Sequence, residues 1–521
     1  MGPLVDVRPT REPPEQELPG SELPVEPVPA GDVRDRLLAE RPFEADGLLA
    51  VFRAVAAERT GADRRAAPAD ATAGSEERVD TETKRYAAWL YCELLESADP
   101  TAADRSTAVE WLIDALDHRD RLVADLAAAY GTPLYVDDLA RVRANYARLA
   151  EAFPAAEVLF AVKANAGAHV LRALRDAGAG AECASAGELA RALDAGFDPA
   201  DVHYTAVNPP DEDLDYACRV ADEHPALTVT AGARDTIDRL AERGFAGRFC
   251  LRVHPGVGAG HSESVSTGKD AKFGVPADEA LDALDAAADH GFDVVGLHAH
   301  AGSGITNDQL DEHERVVSTL ADVARESGRD FEFVDVGGGF GVPYREDEEP
   351  LDLERVAERT RDALDGVDAT LTIEPGRYLV ADAGVLLTEV NTVKRVGDTT
   401  IAGADAGMTT LVRPAMYGSY HPIRSLVGET RATEAVSVVG PVCESTDVLG
   451  EARELPAPER GDLLAVGNAG AYGVEMASNY NSRPRPAVVA LDGGDPELAR
   501  RRETLADVTH AEDTARTYPD P

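Results

Sequence analysis

The chain has 521 residues, enough for more than one core at roughly 100–200 residues per domain. Aspartate and glutamate number 95 against 51 lysine and arginine, a net charge of −44, which argues against non-specific binding to nucleic acid or an anionic membrane. The five cysteines, Cys92, Cys183, Cys218, Cys250 and Cys443, are scattered and contain no CxxC pair. They suit a reducing cytoplasm rather than a disulfide framework or a zinc site.

The opening stretch "MGPLVDVRPTREPPEQELPG" lacks the apolar run of a signal peptide, and no later stretch approaches the ~20 apolar residues of a membrane span. Residues 1–33 are rich in proline and glutamate and read as disordered. Helix-like pieces come next, including "DGLLAVFRAVAAERTG" and "TETKRYAAWLYCELLES", so residues 1–115 read as an accessory extension. Acidity is spread along the chain: residues 1–120 already hold 26 acidic and 14 basic residues. Even acidity with few lysines resembles the proteins of salt-loving organisms, and the expectation is a halophilic protein that loses stability at low salt. Residues 116–150 form a lead-in, with "TPLYVDD" (132–138) available as a strand joining a β domain to the segment after residue 150.

From residue 151 to 380 short apolar runs alternate with amphipathic stretches. The runs are "EVLFAV" (157–162), "GAEC" (180–183), "VHYT" (202–205), "ALTVTA" (226–231), "RFCLRV" (248–253), "DVVGLHAH" (293–300), "FEFVDV" (331–336) and "LTIEPG" (371–376). Buried parallel strands alternating with helices indicate an α/β fold, and eight such units predict a closed (β/α)8 TIM barrel. An open doubly wound sheet would usually place its glycine-rich loop after the first strand; here the glycines come after the seventh. In residues 381–510 the helical spacers disappear. The runs "GVLLTEVNTVKRVG", "TTIAGADA", "AVSVVGPV", "DLLAVGN" and "RPAVVALDGG" predict a mostly β domain, with a tail at 511–521.

Reactive groups of such a barrel belong at the C-terminal strand ends. There the first run leads to Lys163, the sixth to His300, Gly302 and Ser303, the seventh to "GGGFG" (337–341) and the eighth to Glu374 and Arg377. Each piece alone has an ordinary explanation: a surface charge, a satisfied core histidine, a tight turn, an ion pair. Their joint placement at one mouth carries the argument. The chain has only five lysines, and its other 46 basic residues are arginine, so an amine at position 163 points to chemistry that a guanidinium cannot do. Pyridoxal 5'-phosphate fits this inventory. It needs a lysine amine for a covalent bond to its aldehyde, a glycine-rich loop for its phosphate, and an acid opposite its ring nitrogen.

The motifs "FAVKAN", "HAHAGSG", "DVGGGFG" and "EPGR" resemble the fold-type III pyridoxal-phosphate decarboxylases. "GGGFGVPY", "DAGMTTLVRPAMYGSYHPI", "GPVCESTDVL", "GAYGVEMASNYNSRPRPAVV" and "HPGVGAGHSESVSTGKDAKFGV" resemble the diaminopimelate decarboxylases among them, over roughly residues 120–508. The resemblance implies a homodimer with shared active sites, acting on a small amino-acid substrate. It implies that Lys163 bonds the cofactor and that His300 stacks on its ring. Ser303, Gly338, Gly339, Arg377 and Tyr472 would hold the phosphate, and Glu374 the ring nitrogen. Arg377, Arg413, Tyr417, Tyr472 and Glu444 would bind substrate, and Cys443 would donate a proton, with Cys443 and Glu444 coming from the partner chain. A buried structural thiol is the ordinary alternative for Cys443. No metal is implied.

The implied reaction is decarboxylation of meso-2,6-diaminopimelate to L-lysine and carbon dioxide, the last step of lysine biosynthesis. A substrate with a distal carboxylate needs a fixed cation, for which Arg413 is the candidate. Glu182 where aspartate is commoner, Asn468 before "AGAYG", and Glu475 in "YGVEM" depart from the family pattern and bear on substrate choice. The same chemistry on ornithine, arginine or carboxynorspermidine is one alternative, and a non-catalytic homologue that binds a partner is another. A racemase fits poorly, since nothing supplies a second base.

Overall fold

The computed structural model describes residues 122–512 apart from 257–258, 261–271, 346–347, 398, 427–430 and 493–494. The expected extension at 1–115, most of the tail and the core of the "HPGVGAGHSESVSTGKDAKFGV" motif therefore lie outside the described residues.

The first strand, β1 (Leu134–Asp138), leads directly into the helix Leu139–Ala152. The side chain of Asp138 caps that helix, accepting from the backbone N–H groups of Ala140 and Arg141 at 2.9 and 3.1 Å. Eight strands come next as β2 (Glu157–Ala161), β3 (Gly180–Cys183), β4 (Val202–Tyr204), β5 (Thr228–Ala231), β6 (Arg248–His254), β7 (Asp293–His298), β8 (Phe333–Asp335) and β9 (Thr370–Ile373). They pair in parallel around a ring, with β2 against β9 and β5 against β6 closing it. The sheet is the closed barrel that eight apolar runs predict, and each predicted run overlaps one of these strands. Residues such as Phe160, Val229 and Leu251 are buried because helices cover the outside and side chains fill the inside.

The second domain is a nine-stranded sheet built from β1 and β10 (Gly384–Val396), β11 (Thr399–Ala404), β12 (Ile423–Ser425), β13 (Thr433–Val439), β14 (Val448–Pro456), β15 (Leu463–Val466), β16 (Ala487–Asp492) and β17 (Asp495–Arg500). β1 lies at its centre, antiparallel to β10 and parallel to β16. The sequence reading does not anticipate β12, β14 or β17. β14, "VLGEARELP", and β17, "DPELAR", carry charges at many positions and lack a clean alternation. They form because β13 and β16 present open edges for them.

Two contacts fasten the domains beneath the barrel mouth. Arg141 Nη2 donates to Asp382 Oδ2 at 2.6 Å, both side chains buried, and Asn145 Nδ2 donates to Asp382 Oδ1 at 2.7 Å. His169 Nε2 lies 2.8 Å from Asp137 Oδ2, linking the helix after Lys163 to the end of β1.

Candidate active site

Lys163 sits in the single turn Val162–Ala164 that ends β2, so its side chain rises from the barrel mouth. Its ammonium is ion-paired with Glu182, which lies at the end of β3 and is almost completely buried. Burial opposes the charge on both groups. The nearby carboxylates of Glu182 and Glu374 outweigh it for Lys163 and hold the amine above its ordinary range. Burial dominates for Glu182 and raises its carboxyl to about 7, although Lys163 pulls the other way.

Glu374 comes directly after β9, the strand beside β2 in the ring. His298 Nε2–H donates to its Oε2 at 3.2 Å, while Oε1 is buried with no hydrogen-bond partner. Burial works against its charge, but His298 and Lys163 hold it below the usual carboxylate range. Asp335 beside it is pushed well above that range, first by burial and then by Glu374. Asp335 also accepts from Gly337 N at 2.8 Å and so fixes the start of the glycine loop. The sequence reading passes over His298 and Asp335. Both lie in quoted motifs, "HAHAGSG" and "DVGGGFG", but point inward one layer below the mouth.

The glycine loop crosses the mouth with no room for side chains. A Cβ on Gly338 would lie 2.0 Å from the carbonyl oxygen of Glu374, and one on Gly339, at φ +97°, would lie 2.5 Å from that of Gly302. Gly338, which the resemblance assigns to the phosphate, donates its amide N–H to His300 Nδ1 at 3.1 Å, and the left-handed turn at Gly337 (φ +72°) aims that amide at the ring. In this state Gly338 contributes space and ring orientation. Burial, with Arg252 and Lys163 nearby, lowers His300 to about 3, so its ring is neutral at pH 7.

Arg377 starts the short helix Arg377–Val380 after β9. Its Nη2 donates to Ser303 Oγ at 3.2 Å, its Nη1 donates to Tyr344 Oη at 2.8 Å, and its guanidinium stands 4.9 Å from the Tyr472 ring centroid. Tyr472 N donates to Ala164 O at 2.8 Å, which ties the β domain to the lysine turn. Arg413, at the start of the helix Arg413–Tyr417, is only 3% exposed. Its Nη1 donates to Tyr344 Oη at 2.9 Å and to His421 Nε2 at 3.0 Å. His421 Nδ1–H donates to Gly467 O at 2.9 Å, which leaves Nε2 as the acceptor. Tyr417 ends the same helix and raises the Arg377 guanidinium, behind the opposing effect of burial and the effects of Tyr344 and Tyr472.

The side chains of Cys443 and Glu444 bond to residues outside this cluster. Among the described residues their hydrogen bonds go to Asn481, whose Nδ2 is 3.5 Å from Cys443 Sγ, and to Tyr480, whose Oη donates to Glu444 at 2.5 Å. Cys443 is exposed, unlike Cys183, Cys218 and Cys250, so the alternative of a buried structural thiol is set aside. Asn468, at φ +51°, donates through Nδ2 to Pro343 O at 2.8 Å and holds the segment carrying Tyr344. Glu475 acts on Glu188, whose carboxyl is raised first by burial.

These residues fit pyridoxal phosphate on structural grounds. The buried, unpartnered Oε1 of Glu374 needs a donor, as a protonated ring nitrogen provides. Gly338 and Gly339 give backbone access, Arg377 gives a cation beside Ser303, and Lys163 gives an amine within the same mouth.

A family profile described as "Pyridoxal-dependent decarboxylase, pyridoxal binding domain" matches residues 139–381. A diaminopimelate decarboxylase from Methanothermobacter thermautotrophicus is 44% identical over 404 residues, covering 74% of this chain and 92% of its own. One from Escherichia coli K12 is 38% identical over 406 residues, covering 74% of this chain and 94% of its own. The crystal structure of diaminopimelate decarboxylase from Helicobacter pylori complexed with L-lysine aligns with a TM-score of 0.70 at 32% identity, covering 75% of this chain and 99% of that one. With a closed barrel, a β domain, a lysine at the mouth and relatives of this similarity over nearly their whole length, the chain belongs to the diaminopimelate decarboxylase family.

Proposed function

We propose that this protein is a pyridoxal-phosphate-dependent carboxy-lyase that converts meso-2,6-diaminopimelate to L-lysine and carbon dioxide. The observation that carries the substrate is Arg413. It is a buried guanidinium a single tyrosine away from the cofactor arginine, and neither cation has a carboxylate within 4.0 Å among the described residues. Two unneutralised guanidiniums suit a site that receives a phosphate and a distal carboxylate. A buried carboxylate without such a partner would be disfavoured, so diamino acids lacking it are rejected.

When bound, pyridoxal phosphate supplies an aldehyde for the amine and a ring that takes up the electron pair left as carbon dioxide departs. Lys163 Nζ must lose its proton to act as that amine, and the Glu182 carboxylate paired with it is the acceptor at hand. Glu374 holds the proton on the ring nitrogen, and His298 orients Glu374 from below. His300, kept neutral and oriented by Gly338, would stack on the ring. Ser303, Gly338, Gly339, Arg377 and Tyr472 would hold the phosphate, and Arg413 and Tyr417 the distal carboxylate.

Cys443 is exposed, and the side chains of Cys443 and Glu444 bond to Asn481 and Tyr480 rather than to this cluster, which supports a homodimer in which each chain completes the other's site. Cys443 Sγ would then protonate the carbon that has lost its carboxyl, and Glu444 would meet the distal ammonium. The four described thiols are unpaired, which supports a reducing cytoplasm. No helix among the described residues is long and apolar enough to cross a membrane.

The test is carbon dioxide release from a panel of diaminopimelate, lysine, ornithine, arginine and carboxynorspermidine. Release from diaminopimelate alone is expected, and release from ornithine with none from diaminopimelate would reject the substrate.

A further inference from the structure

The segment between the glycine loop and the helix Leu353–Ala363 carries Tyr344, whose hydroxyl is the shared acceptor of two arginines from different domains. Arg377 Nη1 reaches it at 2.8 Å from the barrel and Arg413 Nη1 at 2.9 Å from the β domain. Both guanidiniums also face the ring, with centroid distances of 5.9 and 5.1 Å. The segment is fixed on several sides. Tyr344 N donates to Glu348 Oε2 at 2.7 Å, Asn468 holds Pro343 O at 2.8 Å, and Arg345 stacks on Tyr420 with its guanidinium 4.1 Å from the ring centroid. The Tyr344 ring meets His421 edge-on at 5.3 Å.

We propose that Tyr344 is a positioning residue that sets Arg377 and Arg413 as one unit, and thereby fixes the distance between the cofactor phosphate and the distal carboxylate of the substrate. The proposal rests on the substrate reading above. Two like charges held this close repel, and a shared oxygen between them offsets that repulsion. A carboxylate at 344 would do the same but would neutralise Arg413 and compete with the substrate. A hydroxyl orients the pair and leaves its positive charge available. Burial alone would raise the hydroxyl's pKa, but the two arginines outweigh it and lower it, as expected for an acceptor between cations. His421, lowered to about 3 first by burial and then by Arg413, stays neutral and adds no third charge.

The test is Tyr344→Phe in the full-length holoenzyme, which keeps the ring and its packing. KM for diaminopimelate should rise about tenfold or more, the scale of a hydrogen bond to a charged group, with kcat changed less than about threefold. Cofactor content should match the unaltered protein, and any fall in melting temperature should leave the variant fully folded at the assay temperature. Pimelate, a dicarboxylate without amines, should bind the unaltered holoenzyme measurably by calorimetry and the variant about tenfold more weakly. An unchanged KM and unchanged pimelate affinity would overturn the proposal. So would equal losses in kcat and melting temperature without a change in KM, or no pimelate binding by either protein. If the unaltered enzyme binds pimelate but does not decarboxylate diaminopimelate, the substrate reading fails while the pimelate comparison still decides the role of Tyr344.

Discussion

At the scale of single residues, Lys163 and Arg413 divide the chemistry from the specificity. Lys163→Ala removes the one lysine amine placed at the mouth among the described residues. Carbon dioxide release should fall to a trace, and borohydride reduction should no longer attach the cofactor to the peptide containing residue 163, as read by mass spectrometry. Arg413→Lys keeps the charge but loses the planar fork. KM for diaminopimelate should rise about tenfold to a hundredfold with a smaller change in kcat, as steady-state kinetics would show. Lys163 is legible in the sequence because lysine is so rare here. Tyr344 and His298 are not, since a tyrosine or histidine in a motif gives no sign of which neighbour it will meet.

At the scale of elements, the helix Leu139–Ala152 and the turn before β10 are clamped by a buried charge pair. Removing one partner of such a pair leaves a buried charge without its counterion, which costs about 3–5 kcal/mol. Asp382→Ala takes away the carboxylate whose Oδ2 lies 2.6 Å from Arg141 Nη2, and should lower unfolding stability by that amount in urea titrations at pH 7. Its effect on the site should pass through Asn145 and the segment leading to Arg377. The barrel strands are legible because buried parallel strands write themselves as short apolar runs. β14 and β17 are not, because each exists only against an edge that another strand provides.

At the scale of the molecule, two bulk properties set how the protein responds to its medium. Buried His203, His300, His313 and His421 are lowered by burial, to about 4, 3, 4 and 3. The unfolded chain takes up protons on them near pH 6.5, while the folded chain does so only near pH 3–4. Their contribution is fully present above about pH 6.5 and is lost as pH falls toward 4, at up to ~1.4 kcal/mol per pH unit per histidine. Urea midpoints should therefore drop between pH 7 and pH 5, and His313→Gln should flatten that slope. The net charge of −44 makes the second prediction. Acidic side chains such as Glu212, Glu223 and Asp289 are exposed on the barrel helices. Their repulsion is screened within ~3 Å at 1 M salt but reaches ~10 Å at 0.1 M. The melting temperature should fall from molar salt to dilute buffer, and a constant value would contradict the expectation of a salt-adapted protein.

The amino-acid order by itself determined the alternation of the eight barrel runs and the identity of the reactive groups at their ends. Both arise from local rules: apolar runs bury, glycine yields close backbone approach, and an amine can bond an aldehyde where a guanidinium cannot. Only the tertiary structure decided that Gly338 turns its amide to His300, that Asp335 and His298 support Glu374 from below, and that one hydroxyl holds two arginines from separate domains. Those facts depend on distances of about 3 Å between residues far apart along the chain, and such distances are set by packing rather than by sequence pattern.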